Sequence, residues 1–173
     1  FDVNTGLVIG NSGTILRTTN GGTNWISQTS GTTAILRDIY FSDINTGWVV
    51  GNSGNIRKTT DGGTSWNAQT SGISSILYGV SFADNNTGWA VGANVNILYT
   101  IDGGANWTTQ SSGTTNTLYG VKCVNASTCW IVGNKGTILK TTDAGTNWFS
   151  QSNSTGNHLL DIHFINNNYA WTV

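Results

Sequence analysis

Tryptophan recurs along this chain with a fixed period. Trp25, Trp66, Trp107 and Trp148 stand 41 residues apart, and Trp48, Trp89, Trp130 and Trp171 form a second column at the same spacing. The two columns hold all eight tryptophans, and Leu7 occupies the place that would open the second. A strict period of this length marks an array of supersecondary units, each burying its apolar face against its neighbours. It removes most folds from consideration. A solenoid of single strands would need a shorter repeat, and a sandwich would need no strict period.

Each unit reads as four short strands. In the second, ILRDIYF alternates and ends at SDINT, GWVVG runs to NSG, NIRKTT runs to DGGTS, and WNAQT runs out to SGISS. Strands of about five residues separated by Gly, Asn and Asp turns are hairpin signals. No stretch shows helical periodicity. The composition agrees: 23 glycines and abundant Asn, Thr and Ser, with no proline, methionine or glutamate. The regular tryptophans argue against disorder, because a disordered chain has few large apolar groups to bury. The expected fold is all-β: a β-propeller of 41-residue, four-stranded antiparallel blades, about four of them present. The blades fall at approximately 1–34, 35–75, 76–116 and 117–157, with 158–173 starting the next, in one propeller domain or segment spanning 1–173. Residues 165–173 repeat the register of residues 1–9. HLLDIHF could therefore complete the first blade and close a four-bladed ring. The preferred expectation is a piece of a larger propeller. A third arrangement has a second copy covering the open blade edges, since bare edges invite pairing.

The first tryptophan column closes an eight-residue motif: TTNGGTNW, TTDGGTSW, TIDGGANW and TTDAGTNW. Its repeated positions are Thr18, Asn20, Gly22 and Trp25; Thr59, Asp61, Gly63 and Trp66; Thr100, Asp102, Gly104 and Trp107; and Thr141, Asp143, Gly145 and Trp148. A glutamine follows three residues after each tryptophan, at Gln28, Gln69, Gln110 and Gln151. An Asp heading a tight turn accepts hydrogen bonds from the backbone N–H groups that follow it. The glycines permit left-handed backbone angles, and the tryptophan covers the turn. A motif present once per blade is a folding brace and not a single active site. Asn20 keeps the acceptor but lacks the charge, which weakens any calcium reading.

The motif S/T-x-D-x-G-x-x-W resembles the Asp-box, or bacterial neuraminidase repeat. Nearly the whole chain resembles the photosystem II assembly and stability factor-like propellers, as GWVVGNSGNIRKTTDGGTSW and CWIVGNKGTILKTTDAGTNW illustrate. The resemblance implies that the motif links the third and fourth strands of a blade, away from the active face, and that the first strand lies nearest the central axis.

The first strands LRDIYF, LYGVSF, LYGVKC and LLDIHF vary most between blades. Their channel side offers a partner-binding face of Arg37, Asp38, Tyr40, Tyr78, Tyr119, Lys122, Asp161 and His163. Ile39, Val80, Val121 and Ile162 should pack between blades. Cys123 and Cys129 occupy the columns of Phe41 and Gly47, which face each other across a hairpin, so a disulfide is expected, and with it an oxidising compartment, the alternative being two reduced cysteines in a core. His158, Asp161 and His163 lie close in sequence, but two assured ligands do not make a metal site, and no metal or cofactor is expected.

Asp-box propellers include sialidases, which need an arginine triad and a Tyr–Glu pair. Arg17, Arg37 and Arg57 share no channel face, and there is no glutamate. Asp38 and Asp161 are the only carboxylates in a channel-facing column. No catalytic residue is expected. With 9% charged residues and a net charge of −1, a basic footprint for nucleic acid is missing. No apolar run approaches the roughly 20 residues of a membrane helix. The expected function is a non-catalytic, extracellular or cell-surface propeller, a protein-binding or structural scaffold like the secreted bacterial relatives. The expected location is extracellular, cell-surface or periplasmic. Its partners would be a protein or other subunits of a surface assembly, with self-association through open edges. The alternative is an assembly chaperone like the photosystem II stability factor, and the weakest reading is a glycan-binding or glycoside hydrolase propeller.

Overall fold

The computed structural model describes residues 2–166 and 169–173. Its strands group into five antiparallel sheets laid out in chain order. The first contains β1 (Gly6–Ile9), β2 (Ile15–Thr18) and β3 (Ile26–Gln28). The second contains β4 (Leu36–Phe41), β5 (Gly47–Gly51), β6 (Ile56–Thr59) and β7 (Asn67–Gln69). The third contains β8 (Leu77–Phe82), β9 (Gly88–Gly92), β10 (Ile97–Thr100) and β11 (Thr108–Gln110). The fourth contains β12 (Leu118–Cys123), β13 (Cys129–Gly133), β14 (Ile138–Thr141) and β15 (Phe149–Ser150). The last is the hairpin of β16 (Ile162–Asn166) and β17 (Tyr169–Thr172). Each complete sheet is an up-and-down meander, the blade of a propeller. Among the described residues β16 pairs with β17 and not with β1, so HLLDIHF does not complete the first sheet there.

The core lies between the sheets. One cluster joins Trp48, Val50 and Ile56 of the second sheet to Leu77, Val80, Phe82 and Leu98 of the third. Another joins Trp89, Val91 and Ile97 to Leu118, Val121, Cys123, Cys129 and Ile131 of the fourth. A third ties Ile15 to Leu36, Val49 and Trp66, and a fourth ties Val132 to Leu159 and Ile162. The middle strands are therefore apolar on both faces, and Gly47–Gly51 and Gly88–Gly92 are buried throughout. This distribution explains the strict period: each blade must present the same two faces to the next.

The inner strands carry a feature that alternation alone does not reveal. The pairing of β4 with β5 slips between Leu36 and Asp38, that of β8 with β9 between Leu77 and Gly79, and that of β12 with β13 between Leu118 and Gly120. Arg37, Tyr78 and Tyr119 are thus the extra residues of three equivalent β-bulges. A bulge bends the strand and redirects the side chain of its unpaired residue.

Candidate functional site

The four Asp-box turns share one hydrogen-bond frame. In the second blade, Thr59 Oγ1 donates to Asp61 Oδ1 at 2.8 Å and accepts from Gly63 N at 2.9 Å. Asp61 Oδ1 also accepts from Thr64 N and Ser65 N, at 3.0 and 2.9 Å. Thr100 with Asp102, and Thr141 with Asp143, repeat the threonine–aspartate bond at 2.8 Å, and Thr18 bonds Asn20 at 2.9 Å. The donors favour the carboxylate form: the Ser65 side chain and backbone hold Asp61 down at about 2, and the backbone and side chain of Asn106 do the same for Asp102. The same pattern from Asn147 lowers Asp143. Gly63 has φ +85°, and a Cβ there would press into Leu7 of the preceding blade. These groups satisfy one another and leave the oxygens of the motif occupied within the turn.

Trp48 of the second tryptophan column docks on the next blade's turn. Trp48 Nε1 donates to the Gly103 carbonyl at 3.0 Å, and its ring is fully buried. Arg17 Nε reaches the Gly62 carbonyl at 3.0 Å in the same sense. Trp25 is 42% exposed where Trp66 is 6%.

The inner-strand residues separate into two groups. The bulges aim Arg37, Tyr78 and Tyr119 into one row. The Arg37 guanidinium lies 5.7 Å from the centre of the Tyr78 ring, and Tyr78 meets Tyr119 edge-on at 5.2 Å. His158 continues the row, 6.3 Å from Tyr119. Arg37 and His158 are exposed and the tyrosines half-buried. The row crosses four successive units, one side chain from each.

Asp38, Tyr40 and Lys122 form the second group, deeper between the strands. Asp38 accepts from Ile39 N with one oxygen and from Val80 N of the next blade with the other, both at 2.8 Å. Burial nevertheless raises its pKa to about 6, and Asp161 adds to the rise while Lys122 opposes it. Lys122 Nζ sits 5.1 Å from the centre of the Tyr40 ring, which packs on Phe82 at 6.4 Å. Asp161 accepts from Ile162 N at 2.7 Å, and His163 pairs across the hairpin with Trp171. His158 accepts weakly from Lys135 N at 3.5 Å, and among the described residues no three His, Cys, Asp or Glu side chains cluster as metal ligands. Ile39, Val80, Val121 and Ile162 point into the inter-blade clusters.

Cys123 and Cys129 are a disulfide, joining directly opposed residues of β12 and β13 with Cα atoms 4.1 Å apart. The role of Gln110 is not visible in the repeat. Its Oε1 accepts from Trp89 Nε1 at 3.2 Å and from Trp148 Nε1 at 3.3 Å, while its Nε2 donates to the Ala144 carbonyl at 2.8 Å. The one signal in the sequence is Ala144, which stands where the other turns have glycine.

The family described as photosynthesis system II assembly factor YCF48 matches residues 24–74 and 66–155. No curated protein sequence matches the chain. Among solved structures, a YCF48 bound to a D1 peptide is 29% identical, with a TM-score of 0.68 over 78% of this chain. YCF48 from Cyanidioschyzon merolae is 15% identical, with a TM-score of 0.78 over 98%. The chain spans 45% and 63% of the lengths of these two proteins. An ancestral GH74 enzyme is 18% identical, with a TM-score of 0.67, over 86% of this chain and 23% of its own length, a likeness of fold alone. The YCF48 match corrects the expected extracellular, cell-surface or periplasmic location, because that family is defined by photosystem II assembly and not by a surface structure. The low charge and the Asn- and Thr-rich turns that suggested a surface protein serve blade geometry and carry no address.

Proposed function

The chain belongs to the photosynthesis system II assembly factor YCF48 family, and from that premise we propose a non-catalytic docking module that holds an extended protein segment across its inner-strand face. The observation that carries this reading is the row Arg37–Tyr78–Tyr119–His158. Tyr and Arg are the side chains that most often anchor protein interfaces, because they combine a large, stiff contact area with polar tips. Bulges at equivalent places in three blades aim them side by side, which suits a ligand lying across the blades. The D1 peptide bound by a YCF48 relative supplies the ligand to try first.

Glycoside hydrolysis fits poorly. It requires two carboxyl groups free to act as acid and as base or nucleophile. Here both oxygens of Asp38 are engaged by backbone amides, and the chain has no glutamate. The test is calorimetric titration of the full chain with the D1 peptide. Tyr78→Ala and Tyr119→Ala are each expected to weaken binding roughly tenfold. Unchanged affinity in both variants, or no binding by the parent chain, contradicts the proposal.

A further inference from the structure

The turn between the second and third strands of a blade opens on Asn52 in the second blade, Ala93 in the third and Asn134 in the fourth. The three backbones are placed alike. Asn52 N donates to the Ile35 carbonyl, Ala93 N to that of Ile76 and Asn134 N to that of Thr117, each at 2.9 Å. The bulged residues Arg37, Tyr78 and Tyr119 hold the matching places on the inner strands. In the second blade the two positions are joined. Arg37 Nε donates to Asn52 Oδ1 at 3.0 Å, and the same guanidinium lies 5.7 Å from the centre of the Tyr78 ring of the next blade. The third blade has neither partner, with Tyr78 and Ala93 in the two places. The fourth keeps half of the pair. Asn134 retains the acceptor, but Tyr119 replaces the arginine. Asn134 Oδ1 is buried and, among the described residues, has no hydrogen-bond partner. A buried acceptor left unmet is unfavourable and calls for a donor.

Resting on the docking reading above, we propose that Asn134 and Tyr119 form a subsite for an arginine side chain of the bound segment. The second blade shows the recognition within the chain itself: a carboxamide oxygen takes a guanidinium N–H while an aromatic ring attracts the same cation. In the fourth blade the guanidinium comes from the partner. One N–H donates to Asn134 Oδ1, and the cation lies against Tyr119, whose ring has His158 beside it at 6.3 Å. A guanidinium suits this better than an ammonium, because its plane can donate at the edge and stack at the face at once. The oxygen is shielded from water, so entry displaces a side chain. Tyr119, half-buried and turning about two torsions, stands where Arg37 stands in the second blade and is the one that moves. Lys135, next in sequence to Asn134, borders the outer groove with Gln151 and Asn153.

The test is titration of the isotope-labelled full chain with N-acetyl-arginine amide, followed by NMR at the Asn134 side-chain amide and the Tyr119 ring. Saturable shifts at both are expected. N-acetyl-citrulline amide, which keeps the shape and loses the charge, should bind at least about fivefold more weakly. Asn134→Ala should weaken arginine binding at least about tenfold. Tyr119→Arg should abolish it, because the chain then supplies its own donor. Both variants reproduce combinations the fold already holds, Tyr78 with Ala93 and Arg37 with Asn52, so each is expected to fold as the parent does. A parallel titration with the D1 peptide separates the two readings. If that peptide binds while arginine amide leaves Asn134 unmoved, docking stands and the subsite is overturned, its oxygen being met by water alone. Arginine shifts that survive Asn134→Ala or Tyr119→Arg overturn it equally. Saturable shifts at Asn134 without D1 peptide binding uphold the subsite and remove the docking reading.

Discussion

The junction between the second and third blades and the junction between the third and fourth do the same job with different parts. At the first, Phe82 lies face to face on Trp48 with ring centres 3.5 Å apart and meets Trp107 edge-on at 5.9 Å. The ring sits over Gly88, its cross-strand partner, where a Cβ would overlap it. At the second junction, the same pair of positions holds Cys123 and Cys129, joined covalently. Trp48 donates directly to the Gly103 carbonyl, whereas Trp89 reaches the next turn through Gln110. Asp38 takes Val80 N–H across the first junction, and Ser81 Oγ takes Cys123 N–H at 3.1 Å across the second. Each loss of an aromatic or glycine contact is matched by a covalent or hydrogen-bonded substitute, so the repeat keeps the role of a position more strictly than its residue.

Phe82 is where that comparison breaks most readily. Phe82→Ala should cost about 3–5 kcal/mol in urea unfolding, because the site is walled by rings that cannot collapse into the space. A loss below about 1 kcal/mol would mean that the stack does not hold the junction. Removing both cysteines as Cys123→Ala with Cys129→Ala should cost about 2–3 kcal/mol for so short a loop. Installing Cys123→Phe with Cys129→Gly instead should recover part of that loss if the two solutions are equivalent. No recovery, measured by the same unfolding curves, would show that the fourth blade has committed to its disulfide. Gln110→Ala should cost about 1–2 kcal/mol, since it strands two indole N–H groups and a carbonyl together.

The remaining expected effect is pH-dependent. Asp38 has its pKa raised from 3.8 to about 6. A raised carboxyl contributes stability that is fully present below pH 3.8 and lost as pH rises through about 6. The thermal midpoint should therefore carry a downward contribution across that window, and Asp38→Asn should remove it. A midpoint profile unchanged by the substitution would refute this assignment.

The period made the blade legible before any coordinates. Two tryptophan columns and a repeated Gly-Gly turn determine where strands begin and end, because every blade must match the next. The cysteine pair was legible for the same reason, as a simultaneous departure in two facing columns. The row of Arg37, Tyr78 and Tyr119 was less so. Simple alternation puts these residues at strand starts, and only the bulge, a property of how the inner strand bends against its partner, turns them into a line with His158. Gln110 lies in an unvarying glutamine column, so its bridging role depends on Ala144, 34 residues away. Location was not legible at all, since turn chemistry and compartment draw on the same Asn, Thr and Gly.

Hydrogen exchange of the full chain with and without the D1 peptide tests the docking account most directly. The account predicts slowed exchange in the inner strands, at residues 37–40, 78–81 and 119–122, with the Asp-box turns unaffected. Protection confined to the Asp-box turns or to the fourth strands would contradict it.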